Sequence, residues 1–522
     1  MTLRNPFKQP IGLVKFIFAI TIIDMILYHL PLYNFAIDKL NIYSLNGLLT
    51  FFSVLVGLFT VTAFLLFLIA LILPKMMKGF AIVIFICNSV ALYFVNTYSV
   101  IIDRSMMGNV FNTNTAEALS YYDSKVFIYI VFLGIIPSLF ISKITIKISK
   151  RFRLFIMAFV TLAVGVFIMY LNATTWLWLD KYAKYLGGMT MPWSYSINAI
   201  RHQAREFKKS KIQILLPDAK IQNNNKMVVV LIIGESARAK NFSLYGYKRE
   251  TNPKLKEQDI ITLKNSTSTT TYTTASVNSM LSPTGSTSDS HEPLTSFLQR
   301  TGVDVIWRAN NWGAPKMSIK SYEKAGELRK SCKGIGCDYD EVLLANLNKK
   351  ILNSDKNKVF VVLHTEGSHG PTYYKKYPKG FDFFKPVCKS VDLKECTNKE
   401  LINAYDNTIL YTDYFLSRAI DELKELKDTP VLFIYASDHG ESLGEYGLYL
   451  HGTPYAIAPD VQKDIPFIIW ESKSFLKDRK FTKPYVRVQK SYGHYNIFHT
   501  VLGAFDINST LYNKKLDLLQ ND

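Results

Sequence analysis

The stretch MVVVLIIGES, residues 227–236, contains seven apolar residues followed by a glycine, a glutamate and a serine. A short apolar run that ends in this way is typical of a strand buried on both faces of a sheet. Four runs downstream share this character: DVIWRA (304–309), KVFVVLHTEG (358–367), PVLFIYASDHG (430–440) and DIPFIIWES (464–472). Helix-like segments such as 339–353 and 399–427 separate them. The sequence therefore predicts an α/β domain with a mostly parallel sheet over residues 226–522.

Long apolar segments dominate the chain before this domain. Five of them approach the ~20 residues that a helix needs to cross the hydrocarbon core of a membrane. They cover residues 11–31, 47–73, 79–101, 125–144 and 153–173. One such segment could be a buried core helix, but five in succession predict an all-α transmembrane bundle over residues 1–174. Residues 175–225, aromatic and then basic, are expected to form an interfacial connector, with an ordinary surface linker as the alternative.

Positive charge indicates both a membrane partner and an orientation. The 522 residues carry a formal net charge of +19, but the cations are spread out or flank apolar runs. This distribution favours an anionic lipid surface over nucleic acid. The loop cations lie before the first apolar segment, between the second and third, and between the fourth and fifth. The N-terminus is therefore expected in the cytoplasm, with everything after about residue 174 outside and the first segment kept as an uncleaved signal.

The cysteines give an independent indication of the compartment. Cys332 and Cys337 form one close pair and Cys388 and Cys396 form another, whereas Cys87 lies in a predicted membrane helix. Metal ligation would favour tighter Cys-x-x-Cys spacing, so two short-loop disulfides are predicted. Disulfides persist in oxidising compartments, which agrees with an external α/β domain.

Candidate metal ligands follow three of the predicted strands. Glu235 comes after the first, His364 and His369 close the third, and Asp438 and His439 follow the fourth. Each motif alone could be a structural turn. In an open α/β sheet, however, sites form beyond the carboxyl ends of the strands, where these side chains would converge. An Asp, a Glu and a His form a ligand set that zinc accepts in an open catalytic site.

The stretch NSTSTTTYTTASVNSM, residues 265–280, offers a nucleophile for such a site. Ten of its sixteen residues are serine or threonine, and it follows a probable strand and leads into a helix-like segment. Metal coordination makes a hydroxyl a useful nucleophile near neutral pH, and a helix N-terminus is suited to a phosphoryl group. Serine and threonine are also the preferred helix caps, and several of the ten have only that role.

Taken together, these motifs resemble the phosphoethanolamine transferases. The resemblance covers nearly the whole chain, and its longest motif is specific. It is carried by the strand ending in GES, the Ser/Thr-rich turn, GSHGP (367–371), NAYDNTILYTD (403–413) and SDHGESLGEYGLYLHGTPY (437–455). Members of this family are multi-pass enzymes of the bacterial inner membrane with five transmembrane helices and an alkaline-phosphatase/sulfatase-like periplasmic domain. The family includes enzymes of polymyxin resistance.

The resemblance implies that phosphoethanolamine moves from phosphatidylethanolamine to an acceptor through a phosphothreonine. The acceptor is expected to be a lipid A phosphate or a lipooligosaccharide glycan. The family motif, counted back from Met280, puts the nucleophile at Thr271. Asn278 and Ser279 stand where Pro-Cys is usual, so Thr270 and Thr273 remain alternatives.

The resemblance also implies the ligands and substrate contacts. Zinc would be held by Glu235, Asp438 and His439, with Thr271 completing the set. His369 and His451 match histidines that contact phosphate or a second zinc and could serve as general acid and base.

Further substrate contacts are implied at two places. Asn310 and Asn311 match asparagines near the phosphate, and a family lysine is displaced to Lys316. Residues spaced by four match positions for the donor headgroup, with Glu117 facing the ethanolammonium; they are Asn109, Thr113 and Glu117. This trio could also be a polar helix face against water.

Two other classes of function remain open from the sequence. One is a glycerophosphate transferase of the lipoteichoic-acid-synthase kind, which shares five helices and a metal–threonine site. The other is a non-catalytic membrane scaffold, which need not retain zinc. A monomer is expected, and Asp24, an ionisable residue within the first apolar segment, has no predicted role.

Overall fold

The computed structural model describes residues 9–113, 115–172, 174–211, 213–287, 290–479 and 491–519. The chain divides into two units. One comprises Met1–Gly108 with Tyr122–Ala204, and the other comprises Asn109–Tyr121 with Arg205–Asp522.

The first unit is helical. Its elements, with those of the intervening segment, are α1 (Leu13–Tyr28), α2 (Leu30–Lys39), α3 (Leu45–Ile72), α4 (Met77–Tyr98), α5 (Arg104–Asn112), α6 (Thr115–Ser120), α7 (Lys125–Tyr129), α8 (Ile136–Lys143), α9 (Arg151–Leu171), α10 (Thr174–Met189) and α11 (Trp193–Lys211). Within the described residues, four helices are long and apolar enough to span a membrane: Leu45–Ile72, Pro74–Tyr98, Lys125–Lys143 and Arg151–Leu171. The pair α1 and α2 passes the same test together, so counting it as one span gives the five that were predicted.

The first span is broken rather than straight. Helices α1 and α2 are bent by 65° at His29, and Pro31 lies in the first turn of α2. A proline has no N–H to donate and its ring clashes with the preceding turn, so the helix cannot continue through this point. Elsewhere in the unit, α3 and α9 approach closely because Gly165 leaves room for Thr60, whose Oγ1 would lie 2.0 Å from an added Cβ.

Asp24 belongs to a buried polar chain inside the helical unit. Its Oδ1 accepts a hydrogen bond from Asn88 Nδ2 at 2.7 Å, and Asn88 Oδ1 accepts one from the Tyr195 hydroxyl at 2.9 Å. These residues lie on α1, α4 and α11, so the chain of hydrogen bonds joins three helices. Polar bonds of this kind stabilise contacts between helices in an apolar medium.

The second unit is built on a seven-stranded sheet. Its strands are β1 (Met227–Gly234), β2 (Ile260–Thr262), β3 (Asp304–Ala309), β4 (Ser321–Lys324), β5 (Lys358–His364), β6 (Val431–Ser437) and β7 (Phe467–Glu471). Their spatial order is β2-β7-β6-β1-β5-β3-β4. The five strands from β6 to β4 are parallel, β7 is antiparallel to β6, and the edge strand β2 is antiparallel to β7. The predicted mostly parallel α/β sheet is confirmed.

Helices cover this sheet: α12 (Thr273–Met280), α13 (Leu294–Thr301), α14 (Ala325–Leu328), α15 (Leu347–Leu352), α16 (Asn398–Lys424), α17 (Lys473–Arg479) and α18 (Tyr495–Ala504). Every residue of the central strands β1, β5 and β6 is buried, as their continuous apolar sequences predict. The helix predicted at 399–427 is α16. The helix predicted at 339–353 is interrupted, because Asn346 has a φ of +52° between a 3₁₀ segment and α15.

The register of the sheet brings the ends of four strands together. Ser437 pairs with Gly234, Ile233 pairs with His364, and His364 pairs with Ala309. Residues that follow these positions in the chain therefore emerge side by side at one edge of the sheet. This edge is the carboxyl end of the parallel strands, where sites form in open α/β sheets.

Both predicted cysteine pairs are bonded in the structure, Cys332 to Cys337 and Cys388 to Cys396. The second disulfide precedes α16, and the backbone N–H of Cys388 donates to the carbonyl of Glu400 in the first turn of that helix. Thr397 and Glu400 cap the same turn reciprocally, so the disulfide loop and the start of α16 are fixed to each other.

Candidate functional site

Three predicted ligands meet at the carboxyl edge of the sheet. Glu235 follows β1, Asp438 and His439 follow β6, and all three side chains are buried. His439 Nε2 lies 3.5 Å from Glu235 Oε1 and 3.2 Å from Asp438 Oδ2. The backbone N–H of Ser236 donates to Asp438 Oδ1 at 3.1 Å, which fixes the turn after β1 to the turn after β6.

His451 joins this group. One ligand atom each from Glu235, His439 and His451 lies within 4.8 Å of the others. The rings of His439 and His451 are 4.2 Å apart, and His451 Nδ1 lies 2.8 Å from Glu441 Oε2. The sequence associated His451 with phosphate or a second zinc, and the structure places it among the potential ligands themselves.

The threonine beside these residues is Thr273. Its Oγ1 donates to Glu235 Oε2 at 3.0 Å and lies 3.4 Å from His439 Nε2. The hydroxyl of Thr271 instead donates to the carbonyl of Thr453 at 2.6 Å, and that of Thr270 donates to the carbonyl of Tyr272 at 3.0 Å. Of the three candidate threonines, Thr273, one of the two alternatives, therefore lies beside the candidate ligands, whereas the predicted Thr271 contacts the loop at Thr453.

The reason for the two-residue difference is where the helix begins. Tyr272 is still extended, with φ −154° and ψ 149°, and Thr273 is the first residue of α12. The chain therefore turns between Thr271 and Thr273, so that the first hydroxyl meets the loop at Thr453 and the second meets Glu235. The sequence predicts that a short helix is present more reliably than it predicts the residue at which the helix begins. It therefore does not show which threonine occupies the first position of α12.

The two asparagines after β3 have different partners. Asn311 Nδ2 donates to Glu235 Oε2 at 2.8 Å and so contacts the group directly. Asn310 Nδ2 donates to Asp340 Oδ1 at 2.9 Å, away from the ligands. Lys316 is exposed. His364, the last residue of β5, is buried with its ring 5.8 Å from that of Trp307.

His369 borders the group from the loop after β5. It is buried, and its ring centroid is 5.4 Å from that of His451. Of the predicted headgroup residues, Asn109 belongs to the same unit, and its Nδ2 would lie 3.4 Å from a Cβ added at Gly452. Thr113 Oγ1 donates to the carbonyl of Asn109 at 2.8 Å. Glu117 lies in α6, but its side chain is outside the described part of the structure.

Burial favours the neutral form of two imidazoles of the site, those of His439 and His369. It lowers the pKa of His439 to about 3, with the neighbouring His451 adding to the effect, and lowers the pKa of His369 to about 4. A neutral imidazole with a free lone pair is the form that ligates a metal. These histidines are therefore ready for that role at neutral pH.

The two carboxylates at the centre of the site, Glu235 and Asp438, have pKa values that are shifted in opposite directions. Burial raises the pKa of Asp438 well above its usual range, and the adjacent Glu235 charge raises it further. Burial also opposes ionisation of Glu235, but the surrounding imidazoles outweigh it and lower that pKa. Two acids this close and this deeply buried are costly without a compensating cation. Two carboxylates, two imidazoles and a hydroxyl form a donor set that fits zinc.

Asp340 connects two loops of the site, although no sequence motif points to it. Its Oδ1 accepts hydrogen bonds from Asn310 Nδ2 at 2.9 Å and from Glu366 N at 2.8 Å, and its Oδ2 accepts one from Gly367 N at 2.9 Å. Burial raises its pKa to about 6. The loops after β3 and β5 are thus joined by one carboxylate. Asp340 lies in a 3₁₀ segment with no metal-ligand or nucleophile spacing, so its sequence carries no signal of this role.

Comparison with known proteins gives consistent matches for both units. The sequence profile of the sulfatase family matches residues 227–507, and that of phosphoethanolamine transferase EptA/EptB matches residues 60–207. The phosphoethanolamine transferase EptA of Helicobacter pylori is 39% identical over 525 residues, which cover 99% of this chain and 98% of that protein.

Solved structures agree with these matches. The integral membrane lipooligosaccharide phosphoethanolamine transferase A of Neisseria meningitidis superposes with a TM-score of 0.87 at 28% identity, covering 98% of this chain and 99% of that one. The C-terminal periplasmic domain of phosphoethanolamine transferase EptC from Campylobacter jejuni has a TM-score of 0.52 at 39% identity, covering 59% and 98%. The helical bundle and the sulfatase-like α/β domain thus occur together in a solved structure.

Proposed function

We propose, from the premise that the chain belongs to the phosphoethanolamine transferase family of the EptA/EptB type, that it transfers phosphoethanolamine from phosphatidylethanolamine to a lipid A phosphate or a lipooligosaccharide glycan. One observation carries the proposal. The hydroxyl of Thr273 lies against Glu235 and His439, at the edge where Asp438 and His451 also meet. A nucleophile and a complete set of metal donors therefore share one position.

The first step forms a bond between Thr273 Oγ1 and the phosphorus of the donor. The bond from phosphorus to the glycerol oxygen breaks, and diacylglycerol leaves. The threonine hydroxyl already donates to Glu235 Oε2, so a carboxylate oxygen is in place to accept its proton. His369 and His451 are proposed to orient the phosphate, and the proton taken from Thr273 is passed on to the departing glycerol oxygen.

The second step reverses these roles. An acceptor oxygen forms a bond to the phosphorus, the bond from phosphorus to Thr273 breaks, and the threonine recovers its proton. Because Thr273 is the first residue of α12, the phosphoryl oxygens would face the free N–H groups and the positive dipole end of that helix. Asn311, which donates to Glu235 Oε2, is proposed to hold this carboxylate in its orientation throughout.

One zinc ion is proposed at the site, held by Glu235, Asp438, His439 and Thr273, with His451 as a further donor. A second ion would have to use His369. When bound, zinc offsets the charge of the phosphoryl oxygens and makes the threonine hydroxyl easier to deprotonate.

The proposed setting is the bacterial inner membrane, with the N-terminus in the cytoplasm and the α/β unit in the periplasm. The chain has up to five candidate spans, and two disulfides lie in the α/β unit, which is consistent with an oxidising compartment. We propose a monomer that reaches donor and acceptor in the same membrane.

The donor can be tested with the purified full chain. We expect it to release diacylglycerol from labelled phosphatidylethanolamine and to label lipid A or glycan, with phosphatidylglycerol at least about ten-fold slower, which corresponds to ~1.4 kcal/mol of discrimination. Mass spectrometry of the acceptors identifies the product. Preference for phosphatidylglycerol would instead support a glycerophosphate transferase, and absence of turnover and of zinc would support a scaffold.

Asp340→Asn should slow this reaction without unfolding the protein. The amide cannot accept hydrogen bonds at both of its terminal atoms, so at least one of the donors from Asn310, Glu366 and Gly367 loses its partner. Displacement of loops that carry Asn311 and His369 is expected to lower turnover about ten- to hundred-fold. Initial rates of diacylglycerol release measure the effect.

A matched control for this variant is Asp338→Asn. Asp338 is two residues earlier, its side chain is 85% exposed and, within the described part of the chain, its one ion-pair contact is to Arg329 at 4.0 Å. The control should retain wild-type rates. Equal rates for the two variants would show that Asp340 does not position the site.

A further inference from the structure

An ion pair between Glu366 and Lys376 lies beside His369 in the loop after β5. Lys376 Nζ donates to Glu366 Oε1. The lysine side chain is 9% exposed, whereas the glutamate side chain is 38% exposed. Among the described residues none donates a hydrogen bond to the second carboxylate oxygen, Oε2. The solvent-facing part of the pair is therefore a carboxylate.

The backbone fixes this carboxylate relative to the active site. The N–H of Glu366 donates to Asp340 Oδ1 at 2.8 Å, and its carbonyl accepts from the N–H of His369 at 3.3 Å. The N–H of Ser368 donates to the carbonyl of Glu235 at 3.0 Å. Glu366 thus belongs to a turn that is hydrogen-bonded at one end to Asp340 and at the other end to Glu235, a proposed metal ligand.

The charge of the exposed member indicates what the pair can bind. A phosphate approaching from solvent would meet the carboxylate first and be repelled, because the lysine lies behind it. A cation approaching the same place would be attracted and would find an oxygen that accepts no hydrogen bond from the residues that the structure describes. Charge-assisted hydrogen bonds between a carboxylate and an ammonium are among the stronger polar contacts in proteins.

The reaction proposed above carries such a cation next to the reacting phosphorus. Resting on that proposed function, we propose that Glu366 binds the ethanolammonium group of phosphoethanolamine while the phosphorus is at Thr273. Lys376 holds the carboxylate in place. The residue then distinguishes donors by the charge of their headgroup and not by their lipid chains or their phosphate.

This binding site differs from the one that the sequence indicated. Glu117 was predicted to face the ethanolammonium, and its side chain lies outside the described residues. The sequence did not predict a substrate contact for Glu366, because the candidate ligands in this segment were the histidines on either side of it, His364 and His369. The role proposed for Glu366 rests on the structure, in which its side chain is more exposed than that of Lys376.

The test compares two donors that differ in headgroup charge. Release of diacylglycerol is measured from phosphatidylethanolamine and from N-acetyl-phosphatidylethanolamine, whose amide carries no charge. The full chain is used as wild type and as Glu366→Gln. For the variant we expect kcat/KM with phosphatidylethanolamine to fall about ten- to hundred-fold, as for loss of a hydrogen bond between charged groups. Turnover of the N-acetyl donor should stay within about three-fold, since the chemistry at Thr273 is untouched.

A matched control is Glu257→Gln. Glu257 lies in the same unit, is 68% exposed and pairs with Lys254 at 3.7 Å, away from the site residues in sequence. It should leave the rates with both donors unchanged. The N-acetyl donor also reports folding of Glu366→Gln, because a misfolded variant would lose both activities.

Three results would overturn the proposal. Equal loss with both donors would make Glu366–Lys376 a structural ion pair only. Unchanged rates with both donors would exclude a role for the carboxylate. A donor-specific loss in Glu117→Gln, with Glu366→Gln unaffected, would place the ammonium at the other acid. Failure of the wild type to release diacylglycerol from phosphatidylethanolamine would instead refute the proposed function itself.

Discussion

Thr273→Ala is expected to abolish phosphoethanolamine transfer, with a loss on the order of a thousand-fold or more, as for removal of a covalent nucleophile. Thr273 has the only threonine hydroxyl, among those of the described Ser/Thr-rich turn, that contacts both Glu235 and His439. Alanine retains the helix start at this position and loses only the methyl and the hydroxyl. The variant should therefore fold and retain zinc while releasing no diacylglycerol.

Thr271→Ala is the matched control for this prediction. Its hydroxyl donates to the carbonyl of Thr453, so its removal costs one hydrogen bond, worth ~1 kcal/mol, and should change turnover by less than about ten-fold. Fragment mass spectrometry of enzyme quenched with donor should place phosphoethanolamine on Thr273 in the wild type and in Thr271→Ala. An adduct on Thr271, or full activity of Thr273→Ala, would contradict the assignment.

Sequence pattern was sufficient for the sheet because its strands are buried on both faces. A continuous apolar run such as residues 227–233 is unfavourable in contact with water, so each run predicted a strand that is buried in the core. The edge strand β4, SYEK, was not predicted because its residues alternate between half-buried and exposed positions. An edge strand has one open side and is often polar, so it has no such signature.

The sequence predicted those site residues whose positions follow from the topology of the sheet. Glu235, Asp438 and His439 follow directly from strand ends, whose positions the parallel register fixes. Thr273 and His451 come from a turn and a loop, and their approach depends on where a helix begins and how a loop returns. Asp340 is further removed still, since it acts through backbone N–H groups that any residue would provide. Contacts of that kind leave no pattern in side-chain identity.

The second large effect is expected from the metal. Two buried carboxylates, those of Glu235 and Asp438, lie beside the imidazole of His439. Burial and the charge of Glu235 both raise the pKa of Asp438, which shows that its charged form is unfavourable there. A divalent cation relieves that repulsion in the folded state and has no comparable site in the unfolded chain. Saturating zinc at about a hundred times its Kd should therefore stabilise the α/β unit by ~2.7 kcal/mol. Thermal unfolding followed after chelation and after re-addition of zinc measures this shift, and turnover should be lost and restored in parallel.

Glu235→Gln should remove the zinc-dependent shift and lower turnover on the order of a thousand-fold, since the amide replaces a charged ligand and no longer accepts from Thr273 in the same way. Glu292→Gln is the matched control, because Glu292 is equally buried but pairs with Arg300 outside the site. It is expected to lower stability while preserving the zinc-dependent shift and its coupling to turnover. If the Glu235 variant responded to zinc as the wild type does, the ion would have to bind elsewhere. Thr273 would then have no metal to activate it, and the grouping of these strand ends would be a product of packing alone.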